Sequence, residues 1–283
     1  MTLVPNTAAI EASELKIILN EIKVGEKYWE KKNELLLLES MLKHIGSADS
    51  KLRDTLIYGT FCKLTLDKQL DQKLLIEMLD VCLSDTMLFK GIGEIETDTV
   101  FTRSFTTLLI TLILYRNNEE DFLSSHTILV IKDKLIAYLN LENDLRGFVA
   151  GKGWAHSIAH VADAFDELVK NENITSDFYL EILHSLWDKV FVSEAFYIHD
   201  EDERLLVPIL EMLNRGLDND AIEDLLQHVH LKLEKQKSQI DEENYWILYA
   251  NCKKFLKSFY LQADNHTNLA SLQPSIKNTI LSM

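Results

Sequence analysis

Two histidines and an aspartate in the stretch Gly153-Trp154-Ala155-His156-Ser157-Ile158-Ala159-His160-Val161-Ala162-Asp163 are the side chains whose spacing best suits chemistry. On a helix, imidazoles at i and i+4 share a face and a carboxylate at i+7 continues it. His156, His160 and Asp163 therefore form a candidate ligand set for one divalent ion, zinc or similar, with Glu167 or a residue from another helix as a fourth ligand. An ion held there would polarise water for hydrolysis, with Glu167 or Asp144 as base and Arg103 or Arg146 facing an anionic substrate. The motif is not the HExxH of metalloproteases, because Ser157 stands where that motif carries its glutamate. Two further readings use the same residues. One is a metal-free cleft in which an imidazole acts as general acid or base. The other is a hydrogen-bonded structural face, with His156 bound to Asp144 or a carbonyl and Asp163 or Glu167 meeting Arg103 or Arg146.

These side chains need a helix from about residue 153 to 171, and the surrounding pattern supplies one. Trp154, Ile158, Val161, Phe165 and Leu168 form an apolar stripe opposite the polar one, while Ala155, Ala159 and Ala162 between them permit close approach of a neighbouring helix or substrate. The next helix carries Glu181, His184 and Asp188 on its own polar stripe, so antiparallel pairing would bring a second set of ligands near the first. Arg103 opens the most apolar helix, an unfavourable place for a cation unless a carboxylate answers it, and Asp144 or Asp163 is the natural partner. The run His199-Asp200-Glu201-Asp202-Glu203 precedes a helix, where negative charge complements the positive end of the helix dipole. Trp154, Trp187 and Trp246 occupy apolar positions and read as core.

Apolar residues return every three or four positions nearly everywhere, and capping clusters such as Thr97-Asp98, Asn219-Asp220 and Asp241 divide the chain. The pattern predicts roughly eleven helices, near 10–22, 26–45, 50–65, 69–84, 98–116, 121–140, 153–171, 176–191, 202–216, 220–236 and 242–262. Only 3 prolines and 9 glycines occur in 283 residues, too few turn formers for an all-β chain of this length. Helix pairs starting near Lys51, Asp98, Gly153 and Asp202 recur at spacings close to those of HEAT and armadillo units. The expected fold is thus all-α: an α/α superhelix over residues 1–262 as a single helical array, with a compact helical bundle as the alternative. Residues 263–283, rich in Asn, Ser, Thr and Gln, read as a weakly structured C-terminal extension. Five of the glycines fall in two connections, Lys90–Thr97 and Arg146–Trp154, where the backbone must depart from regularity.

With 29 Lys and Arg against 45 Asp and Glu the formal net charge is −16, and no local basic face offsets it, so no nucleic-acid partner is expected. The most apolar run, Ser104–Tyr115, is too short to span a bilayer, which requires about 20 residues. The N-terminal residues lack the basic and apolar regions of a secretory signal, so the expected compartment is the cytoplasm and no membrane insertion is foreseen. Cys62, Cys82 and Cys252 form no CxxC pair and read as reduced thiols.

Several of these residues also carry a resemblance. Arg53-Asp54, the run Val100-Phe101-Thr102-Arg103-Ser104-Phe105, and above all Asp144-Leu145-Arg146-Gly147 followed by Gly153-Trp154-Ala155-His156 and Ala159-His160 with Asp163 are similar to a bacterial family known as domain of unknown function 2785. The resemblance extends roughly from Lys51 to Leu213. It implies a helical, HEAT-like protein with Arg103, Asp144, Arg146, Trp154, His156, His160 and Asp163 as characteristic residues, and it brings no activity with it. The expected function is a protein- or ligand-binding scaffold module with a polar site on the 153–170 helix, its partner unknown, and a metal-dependent hydrolase is the alternative.

Overall fold

The computed structural model describes residues 9–265 and 269–283. Among these residues twelve α-helices carry the fold: α1 (Ala12–Val24), α2 (Glu34–Lys43), α3 (Gly59–Leu66), α4 (Gln72–Cys82), α5 (Thr99–Glu120), α6 (Ser125–Leu141), α7 (Ser157–Val169), α8 (Tyr179–Asp188), α9 (Glu201–Asn214), α10 (Asn219–Lys237), α11 (Glu242–Asn265) and α12 (Gln273–Ser282). A π-helical stretch, Lys51–Tyr58, runs directly into α3. Two short strands, β1 (Phe148–Val149) and β2 (Gly153–Trp154), pair antiparallel between α6 and α7. The protein is all-α, as its periodicity implies, and no helix among the described residues is long and apolar enough to cross a membrane.

The helices pack as a sequence-ordered series. Helix α3 lies on α5, α5 on α7, α7 on α9 and α9 on α11, while α4, α6, α8 and α10 each pack on the helix that follows them. The centre of the series is α5, whose residues are buried on every side from Val100 to Ile110, apolar side chains alternating there with small hydroxyls and Arg103. Two of its buried hydroxyls donate to carbonyls of the same helix, Thr106 to Thr102 at 2.7 Å and Thr107 to Ser104 at 2.6 Å, while the Ser104 hydroxyl has no partner among the described residues. Helix α7 makes the two most extensive contacts, with α5 and α9. Its fully buried Ala159, Ala162 and Ala164 are what allow such close approach on both sides.

Four expectations need correction. Gly25, at φ 82°, ends α1 in a left-handed turn, and α2 starts only at Glu34, so the helix expected over 26–45 is shorter. The helix expected from 153 starts at Ser157, because the hairpin occupies 148–154. The C-terminal extension is ordered where it is described: α12 packs on α10 and α11 and buries Leu269, Leu272 and Ile276, while residues 266–268 lie outside the described residues. Pro274 sits in the first turn of α12, where its missing N–H has no partner to lose. Trp187 is core as expected, but Trp246 is exposed.

Candidate functional site

The hairpin places the site, and a buried arginine holds the hairpin. Arg53, fully buried, donates from Nη2 to the carbonyls of Lys152 (2.7 Å) and Trp154 (3.1 Å) and from Nη1 to that of Ser47 (2.5 Å). Its guanidinium also lies over the rings of Phe101 and Phe105, 4.1 and 4.9 Å from their centroids. Gly153 is required where β2 crosses this arginine. Its φ is +81°, and a Cβ there would lie 2.7 Å from the Cβ of Ser50. Beyond β2 the chain bonds back on itself, Ala155 N–H to Gly147 O at 2.8 Å and His156 N–H to Arg146 O at 3.0 Å. His156 then adopts a left-handed conformation, φ 49° and ψ 37°, as the residue before α7. A non-glycine residue held there is unusual and costs strain, of order 1–3 kcal/mol.

That turn swings His156 out of the helical register and toward the loop preceding α9. Its Nε2 lies 3.1 Å from the carbonyl oxygen of His199 and 3.3 Å from Oε1 of Glu201. The Nδ1 of His199 lies 3.8 Å from the same carboxylate oxygen, and ligand atoms of His156, His199 and Glu201 all fall within 4.8 Å of one another. Trp154 stacks on His156 with ring centroids 4.5 Å apart and meets His199 edge-on at 5.2 Å. Gly147 completes the corner by having no side chain: a Cβ there would lie 2.2 Å from His199 Nδ1 and 2.7 Å from Glu201 Oε1.

Glu201 is the electrostatic centre of this corner. Its carboxylate is 2% exposed, it opens α9, and its Oε2 accepts the N–H of His199 at 2.9 Å. Burial alone would push its pKa up, but the hydrogen bonds from His156 and the backbone outweigh that and hold it below the ordinary value. Among the described residues its ion-pair partners are the two imidazoles, which are charged only when protonated.

The other residues expected at the site go elsewhere. The ligand set His156, His160 and Asp163 does not assemble. His160 is buried in the α5–α7 interface, edge-on to Phe105 at 5.2 Å, and its Nδ1 has no hydrogen-bond partner among the described residues. Burial, with the Arg204 guanidinium adding to it, holds that imidazole well below its usual pKa and hence neutral. Both oxygens of Asp163 are engaged by the Nε and Nη2 of Arg204. Glu167 pairs with Lys170 at 2.8 Å, and the second polar stripe is likewise spent, Glu181 on Lys132 and Asp188 on Lys232.

Arg103, expected to meet Asp144 or Asp163, is instead sealed in a fork with Glu142, Nε to Oε2 at 2.5 Å and Nη2 to Oε1 at 2.8 Å, with neither side chain exposed. Its remaining donors reach Thr99 Oγ1 and the carbonyls of Lys90, Gly91 and Glu94, so it fastens the 90–97 connection to the core. Asp144 pairs with Arg146 at 2.7 and 2.6 Å, and Arg146 also donates to Thr97 O. Trp154, expected in the core stripe, is 38% exposed on β2, and Phe148 beside it is also exposed. Of the expected residues, then, Trp154 and His156 reach the corner, and His199 and Glu201 join them from the acidic run before α9.

Fold and site together define an all-α protein with an imidazole–carboxylate corner where a hairpin, α7 and α9 meet. Comparison of the sequence with protein families places it further: the chain belongs to the family described as Protein of unknown function (DUF2785), whose family model matches residues 88–261. That match spans α5 to most of α11 and contains the whole corner, while Arg53 and Asp54 lie outside it. No curated protein and no solved structure matches the chain.

Proposed function

We propose that the protein is a binding module, a HEAT-like helical array whose site is the corner of Trp154, His156, His199 and Glu201, and that the site takes a small cation. The observation that carries this reading is the buried Glu201 carboxylate. A charge removed from water must be answered, and here two imidazoles and the amide end of α9 are what answers it. A cation held between the imidazoles and the carboxylate would complete that balance, and the exposed face of Trp154 beside them suits a positive group. The net charge of −16 draws cations to the surface in general. The ordered packing of α3, α5, α7, α9 and α11 supports the array, and three free cysteines suit a reducing cytoplasm.

The hydrolase reading has no such support. Asp163 is neutralised by Arg204, Asp144 by Arg146, and the hydroxyl of Ser157 donates to Asp144 O at 2.5 Å. The test is to follow the ring resonances of His156 and His199 while titrating guanidinium, tetramethylammonium and divalent cations. Saturable shifts with at least one of these, absent in Glu201→Gln, are expected. Rings that respond to none of them would overturn the reading.

A further inference from the structure

Resting on that reading of the corner, we propose that its ligand is a divalent transition metal of the zinc class, held by His156 Nε2, His199 Nδ1 and Glu201 Oε1. Ligands about 2.0–2.1 Å from a tetrahedral zinc sit about 3.4 Å from one another along the edges of the tetrahedron. The corner already approaches that figure: 3.3 Å from His156 to Glu201, 3.8 Å from His199 to Glu201, and no pair beyond 4.8 Å. Two nitrogens and one carboxylate oxygen are the donors zinc prefers, and a set of three leaves a fourth direction open.

Three features beyond the ligand atoms point the same way. The Glu201 carboxylate is aimed by the His199 amide through its other oxygen, which is the outer contact that ligating carboxylates generally have. His156 is kept in a left-handed conformation that places its ring against Glu201 instead of along α7, and such strain persists where the surroundings enforce it. The absence of a side chain at Gly147 lets the His199 ring and the Glu201 carboxylate pack directly against the backbone there, a Cβ falling 2.2 and 2.7 Å from Nδ1 and Oε1. The ligands come from two segments 43 residues apart, the turn into α7 and the start of α9, so an ion would tie the loop before α9 to the hairpin corner.

The test uses the full chain, stripped with chelator and titrated with zinc alone by calorimetry, with metal content measured after dialysis. One equivalent is expected, and His199→Ala and Glu201→Gln should each weaken binding by about tenfold or more. Asp163→Asn and the exposed His184→Ala should leave it unchanged. Since Glu201 is buried, His199→Ala is the variant that keeps the test valid if Glu201→Gln folds poorly. Zinc binding that survives His199→Ala, or falls equally in Asp163→Asn, would overturn the assignment. No stoichiometric zinc, together with saturable ring shifts from guanidinium or tetramethylammonium, would overturn the metal and leave the corner as a site for an organic cation. Neither zinc nor ring shifts would overturn both.

Discussion

Replacing Arg103 by Met separates a fastening arginine from one that faces a ligand. In the fold Arg103 and Glu142 are both fully buried, joined by two charge-assisted hydrogen bonds of 2.5 and 2.8 Å. Burial pulls the guanidinium pKa down, but the Glu142 carboxylate outweighs it and the net direction is up, so the pair is an ion pair. Removing the arginine leaves a buried carboxylate without its ion-pair partner, although Oε1 keeps the Asp144 N–H at 2.9 Å. Breaking a buried pair from one side costs about 3–5 kcal/mol. For a chain of this length each kcal/mol lowers Tm by about 2 °C, so Arg103→Met should melt roughly 6–10 °C lower. Adding Glu142→Leu should return part of that loss, since replacing both charges removes the uncompensated one, and the coupling between the two sites should exceed about 2 kcal/mol. Urea unfolding of the wild type, both single variants and the double variant gives the cycle. Hydrogen exchange adds a local readout, because Arg103 holds the carbonyls of Lys90, Gly91 and Glu94 and amides of that connection should lose protection. A loss below about 1 kcal/mol, the size expected of a surface pair, would refute the reasoning.

Two shorter predictions follow from contacts outside that pair. Gly147→Ala should abolish ring shifts and zinc binding at the corner, because its Cβ would fall 2.2 Å from His199 Nδ1, and should cost about 1–3 kcal/mol of stability as overpacking. Gly151→Ala, at φ +75° with open space around it, should leave corner binding intact, and equal binding in both variants would show that the close approach at Gly147 is irrelevant. Glu120, bonded by Arg116 at 2.9 Å, Gln72 at 3.3 Å and Lys68 at 3.2 Å, is drawn down from 4.5 to about 2. A carboxylate lowered in this way favours the fold above its unfolded value of 4.5, and that contribution is lost as the pH falls toward 2. Carbon NMR titration should find its midpoint near the lower figure and moving upward in Gln72→Ala, whereas a midpoint at 4.5 in the wild type would contradict the contact set.

The helical fold was legible because its signals are local, and the corner was not because its geometry is made by contacts remote in sequence. The apolar run Ser104–Tyr115 declares α5, and Asp241 caps α11 through Asn244 N–H at 2.9 Å, each readable within a few residues. The ligand set His156, His160 and Asp163 rests on the same rule, that positions four and seven apart share a face, but the rule holds only inside the helix. Helix α7 begins at Ser157, so His160 and Asp163 obey the rule while His156, one residue outside it and left-handed, obeys the hairpin. What turns His156 away is Arg53, about a hundred residues earlier, gripping the carbonyls of Lys152 and Trp154, and what meets it is Glu201, 45 residues later. The concentration of glycines at 147, 151 and 153 marked the place where helical spacing would fail. Applying the i, i+4 rule across that boundary contradicted the same signal: a segment that needs glycine at φ +75° and +81° cannot belong to the helix it introduces. His199 and Glu201 lay within an acidic run whose placement before a helix already had a sufficient explanation in the helix dipole. What ties that run to His156 is contact across 43 and 45 residues, and Gly147, against whose backbone His199 and Glu201 pack, shows in a sequence only as an absence of side chain.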